Sequence, residues 1–90
     1  MEIQKIIDRA IQLKQMPFAV GVQLTVHLWL YDAALQQAQF FQSKGLPKVA
    51  QVFQALAVQE LNQTIQTLQK NKSKIALDVF DLLLVALQNL

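Results

Sequence analysis

The sequence predicts an all-α protein: two long antiparallel helices with a shorter helix at either end. Three observations carry this. Apolar residues recur at steps of three and four along most of the chain, the period of a helix with a buried face. Two glycines and two prolines are too few for the turns of a β-rich fold, and alternating β-branched runs are scarce. The segment Ser43-Lys-Gly-Leu-Pro47 holds both strong breakers together and divides the two longest periodic segments.

The first helix is expected over about Glu2 to Gln15. Ile3, Ile7, Ala10 and Ile11 form a narrow apolar stripe, while Lys5, Arg9 and Gln12 face water. Pro17 ends it or opens the next helix. The second helix is expected from Phe18 to Ser43 and carries two apolar stripes. One holds Val20, Leu24, His27, Tyr31, Ala34, Ala38 and Phe41; the other holds Phe18, Val22, Trp29, Ala33 and Phe40. A helix apolar on two faces requires neighbours on both. Gly45 suits the end of this helix and Pro47 the first turn of the third, which runs to about Lys70. Leu46, Phe53, Ala57, Glu60, Thr64 and Leu68 share its inner face, flanked by Ala50, Leu56 and Leu61. Lys70-Asn71-Lys72-Ser73 breaks the pattern, and Ser73 is a candidate N-cap for a last helix to Leu90. Its apolar face is expected to hold Ile75, Val79, Leu82, Leu83, Ala86 and Leu90. The short connection at Gly45 makes the two long helices antiparallel.

Ninety residues make one small domain, 1–90, and a chain this short is marginal alone. It is 53% hydrophobic and 16% charged, against about 25% charged in ordinary soluble domains. Such a surface is expected to be covered by a second copy, as a homodimer or higher oligomer. A net charge of +2 with no dense basic face gives no nucleic-acid footprint. Without cysteine there is no disulfide, thiolate metal site or cysteine nucleophile. No secretory signal is apparent, and a cytoplasmic location is expected. The run Phe18 to Tyr31 is too short to span a bilayer. Extending it to about 20 residues takes in Pro17 and Asp32, so no membrane span is expected.

Glu60 is the residue that does not fit its surroundings. A carboxylate on a packed apolar face is costly unless it reaches water, pairs with a polar partner such as His27 or Tyr31, or binds metal. The segment from Ser43 to Gln63, with its glycine turn and then Ala50, Phe53 and Ala57 before the glutamate, resembles the ferritin-like superfamily, especially the rubrerythrin and ferritin helical hairpin. Without gaps, the resemblance places Glu60 on that family's ligand glutamate, Gln63 on its ligand histidine and His27 on the glutamate of the preceding helix. It covers about residues 20 to 70. It implies a ferritin-like four-helix bundle, with dimerisation as a route to completing it. Departures bear on activity: His27 replaces a carboxylate, Gln63 replaces an imidazole, and Ala34 stands where a tyrosine is common. The second ligand-bearing hairpin is not supplied by these residues. The resemblance therefore implies the fold with its di-iron site lost. An alternative is an iron or zinc site formed between two copies from His27, Glu60 and Gln63.

Other constellations point nowhere specific. His27 is the sole histidine, so no His-x-x-x-His zinc pair exists. Ser43 and Ser73 are expected at helix ends far from it, which excludes a serine triad. There is no glycine-rich phosphate loop. His27-Leu-Trp-Leu-Tyr31 is the kind of segment that ligates haem or pigment, but a single histidine in an apolar helix is more often core. The stripe of Phe18, Val22, Trp29, Ala33 and Phe40 has two readings, core beneath the terminal helices or a dimer interface. The expected function is a non-enzymatic structural or interaction protein that acts as a homo-oligomer and takes no cofactor. A metal-binding protein, or a small immunity or adaptor protein that docks a protein partner, are the alternatives.

Overall fold

A computed structural model describes residues 2–90. It is all-helical, with α1 at Glu2–Gln12, α2 at Phe18–Ser43, α3 at Pro47–Lys70, a single 3-10 turn at Lys72–Lys74, and α4 at Leu77–Gln88. Helices α2 and α3 form the antiparallel hairpin, and α1 and α4 pack at the end of it away from Gly45.

Two helix ends use one device. At the end of α2, Gly45 donates its N–H to the Gln42 carbonyl (3.1 Å) and Leu46 to that of Phe41 (2.9 Å), with Gly45 at φ 74°. This is a Schellman motif, and glycine enters the left-handed region without cost from a Cβ. Pro47 opens α3 at its first turn. At the end of α1, Lys14 donates to Ile11 (3.1 Å) and Gln15 to Ala10 (2.8 Å), with Lys14 at φ 58°. The motif is the same, made with a lysine. It stops α1 at Gln12 instead of the expected Gln15, because the chain has already turned left-handed at Lys14.

The last helix also begins later than expected. Ser73 is exposed within the 3-10 turn and caps nothing; α4 starts at Leu77 after Ala76. The Asn71 side chain donates to the Thr67 carbonyl at 2.8 Å and closes α3. The Ala76 N–H donates to the Gln15 carbonyl at 2.9 Å. That bond ties the α1–α2 connection to the start of α4, and so holds both terminal helices to one end of the hairpin.

The core is accordingly lopsided. Ile3, Ile7 and Ala10 of α1, Val20, Leu24 and Leu28 of α2, Leu68 of α3, and Val79, Phe80, Leu83 and Leu87 of α4 form one buried cluster, with Met16 and Ile75 from the connections. Full burial of each large aliphatic side chain there is worth about 1.5–3 kcal/mol. On α4 the expected face is rotated: Leu82 and Leu90 are exposed, and Phe80 and Leu87 are buried in their stead. Toward Gly45 the hairpin is two helices alone, an arm whose seam is closed by Ala34, Ala38, Ala50 and Ala57. Small residues let the backbones approach closely. Near the tip Phe41 and Phe53 stack across the seam, centroids 5.4 Å apart and rings 10° from parallel. The molecule measures 46 × 21 × 20 Å, long for its size because the arm has no second layer.

Gly21 marks a close approach at the root of α2. A Cβ there would run into the side chain of Ile11, 2.9 Å from its Cγ1. Glycine lets α1 lie down on α2. The Gln4 side chain bridges the same contact, donating to Thr25 Oγ1 (2.9 Å) and Asp8 Oδ1 (3.0 Å).

Candidate functional site

The helical period puts His27 and Glu60 on the facing stripes of α2 and α3, and the antiparallel hairpin brings them level. His27 Nδ1 and Glu60 Oε2 are 2.8 Å apart, with 28% and 25% of their side chains exposed. Glu60 thus has a partner within the chain while one edge of the pair stays in contact with water. One turn on, Thr64 is fully buried, and its hydroxyl donates to the Glu60 carbonyl at 2.8 Å. Tyr31 lies half-buried one turn along α2. Among the described residues, no buried polar side-chain atom lacks a partner.

Of the three residues singled out for metal, two come together and one does not. Gln63 is exposed, and only its backbone carbonyl is engaged, by the Thr67 hydroxyl at 2.8 Å. Among the described residues no three histidine, aspartate or glutamate side chains cluster as a metal site. A histidine–carboxylate pair can hold a hydrogen bond or pass a proton. Nucleophilic catalysis would need an accessible hydroxyl beside it; the Thr64 hydroxyl is fully buried and donates to the Glu60 carbonyl, and Ser43 lies sixteen residues further along α2, about 24 Å at the helical rise.

The second stripe of α2 is exposed, which removes its reading as core beneath the terminal helices. Phe18 is 71% exposed and Trp29 65%, and Val22, Ala33 and Phe40 are exposed too. The stripe also divides. Phe18, Val22 and Trp29 line a groove of about 370 Å³ between α1 and α2, with Gln4 and Asp8 on its far wall. Ala33 lines a different groove of about 220 Å³ on the arm, with Leu30, Gln37, Phe53, Leu56 and Glu60. Phe40 sits near the tip, edge-on to Phe41 (5.2 Å, 81°) with the Lys44 ammonium 5.6 Å from its centroid.

Helix α2 is, by length and composition, one described helix long and apolar enough to cross a membrane. Its Val20, Leu24 and Leu28 are instead spent on the protein core, and α3 runs alongside it for its length. The arm groove, the bridge of Gln4 to Thr25 and the close approach at Gly21 went unseen in the sequence. Of these, Gly21 left a trace: a glycine inside a helical pattern often marks close packing.

Comparison with protein-family models, curated proteins and solved structures finds no match to this chain.

Proposed function

We propose that the chain is a non-enzymatic structural or interaction protein, a ferritin-like hairpin without di-iron chemistry that works in the cytoplasm as a homo-oligomer. The observation that carries this reading is the apolar surface of the hairpin. Phe18, Trp29, Phe40, Val52 and Val58 each leave more than half of their surface to solvent. So many large apolar side chains left to water on so small a chain support a reading in which a partner covers part of that surface. The loss of iron chemistry is supported by the residues at the matching ligand positions, His27 and Gln63, and by the engagement of Glu60 with His27. Sedimentation of the purified chain at about 100 µM is expected to give a dimer or larger species, a modest affinity for a protein interface. A strict monomer refutes the reading.

A second reading, a metal site completed between two copies, is favoured by one observation: His27 and Glu60 meet across the hairpin. Two copies would offer two imidazoles and two carboxylates, donors that suit zinc or iron. Added Zn²⁺ or Fe²⁺ would then raise the melting temperature of the wild type and not of Glu60→Gln. No metal-dependent shift is the expected result, and a shift abolished by either His27 or Glu60 substitution would make this second reading the better one.

A further inference from the structure

We infer that the arm of the hairpin docks face to face and antiparallel on the arm of a second copy, through the groove of Leu30, Ala33, Phe53 and Leu56, and not through the Trp29 groove. This rests on the homo-oligomer proposed above and specifies its surface.

Position in the helix decides which side of the hairpin is free. Nine residues turn an α-helix by about two and a half turns, so residues nine apart face opposite ways. Gly21 receives α1, and Leu30 is nine residues on; Ile65 packs against the buried core at the root, and Leu56 is nine residues back. The terminal helices therefore lie on one side of the hairpin, and Leu30 and Leu56 point from the other. That side is open along the whole molecule and presents its apolar groove in the arm. The opposite side of the arm is lined by Leu35 and Ala38 together with Gln39, Gln42, Ser43 and Gln54, whose amide and hydroxyl ends would each have to be paired or left to water under a partner.

Area and charge both fit a second copy as the occupant. The chain exposes 5943 Å². A compact monomer of 10.2 kDa would expose about 5300 Å² by the surface–mass scaling of folded proteins. The excess is of the order of the ~800 Å² that each partner buries in a stable interface. From residue 33 to residue 59 the charged residues are Lys44 and Lys48 alone, both at the tip. Glu60 lines the groove at the root of the arm, whereas Asp32, two residues and about 200° from Leu30 on α2, faces the other side. Parallel arms would gather four lysines at one end. Antiparallel arms set each basic tip beside the partner's acidic root. Glu60 follows Lys48 by twelve residues on α3, so a two-fold axis midway between them, across the middle of the arm, sets each Lys48 beside the partner copy's groove glutamate. Such an isologous contact closes as a dimer. It also gives the arm the second helical layer that its own chain provides only at the root.

The test compares Leu56→Glu, Leu30→Glu and Trp29→Glu with the wild type by sedimentation equilibrium. All three sites are exposed, so each variant is expected to keep its helical circular dichroism. A wild-type dimer that either arm variant weakens by about tenfold or more, while Trp29→Glu leaves it within about twofold, supports the arm contact. A dimer dissociated by Trp29→Glu and unaffected by the arm variants overturns the arm contact but leaves the homo-oligomer standing. A monomeric wild type overturns both, and a trimer or larger species overturns the two-fold pairing. Gln37 lies in the groove near the middle of the arm, close to the inferred axis, and the chain has no cysteine. Gln37→Cys should therefore give a disulfide-linked dimer under mild oxidation without disturbing the contact. Its failure to cross-link would overturn the antiparallel register.

Discussion

Cutting the His27–Glu60 pair should reveal a coupling of about 1 kcal/mol. The atoms stand 2.8 Å apart, and each side chain keeps about a quarter of its surface in water. At the dielectric of water, unit charges at that separation attract by about 1.5 kcal/mol. Fully exposed pairs return roughly 0.2–1 kcal/mol once side-chain ordering is counted. A neutral hydrogen bond in the same place is worth about 0.5–1.5 kcal/mol net. The value is thus near 1 kcal/mol whichever charge state His27 adopts. Glu60→Gln keeps an oxygen acceptor and should cost under about 0.5 kcal/mol, whereas Glu60→Ala should cost about 1–2 kcal/mol by stranding the imidazole. His27→Ala should cost a similar amount, and the double variant less than the sum by the coupling. Urea unfolding followed by far-ultraviolet circular dichroism reads this directly. In a chain of this size 1 kcal/mol moves the melting temperature by about 4–8 °C. The wild type and all four variants must be compared at one concentration, because self-association adds to apparent stability. A coupling below about 0.3 kcal/mol, or a Glu60→Gln variant as unstable as Glu60→Ala, would refute this account of why the glutamate is there.

Lys14→Gly should stabilise the chain by about 0.5–1 kcal/mol, since a left-handed lysine costs about 1–2 kcal/mol and glycine gives part of that back in chain entropy; a lower melting temperature would refute the strain at Lys14. Leu68 is fully buried at the root and Val58 is 57% exposed on the arm. Leu68→Ala should therefore cost about 2–5 kcal/mol and Val58→Ala under about 0.5 in denaturant titrations, and equal losses would contradict a core confined to one end. The expressed chain should be recovered without detergent, because Val20, Leu24 and Leu28 of α2 are spent on the core and α3 packs along the helix. Recovery in the membrane fraction alone would show that α2 has a lipid environment instead.

Local physics was enough for the hairpin. A period of 3.6 is written into α2 and α3 whatever surrounds them, and Gly45 with Pro47 punctuates them, so both long helices run between the residues expected. The inner faces followed except at Leu46 and Leu56, which were expected on or beside the buried face of α3 and are exposed because the arm has no further layer to cover them. With those faces came the meeting of His27 and Glu60, because an antiparallel pair brings facing stripes level by geometry alone. The end of α1 was not legible. It uses the same turn as the end of α2, but Lys14 takes the place of glycine and gives no local sign, since only contacts beyond the turn can offset its strain. The start of α4 was hidden for a related reason: Ser73 has the chemistry of a cap, yet the bond from Ala76 to Gln15 sets where that helix begins. The fate of the second stripe was beyond the sequence altogether. Periodicity shows that Phe18 and Trp29 share a side of α2; it does not show whether anything comes to cover that side. The landing of α1 on Gly21 and the packing of α4 into the core at the root decided this. Those contacts join residues far apart in the chain, and they bury one side of the hairpin root while the arm remains two helices thick.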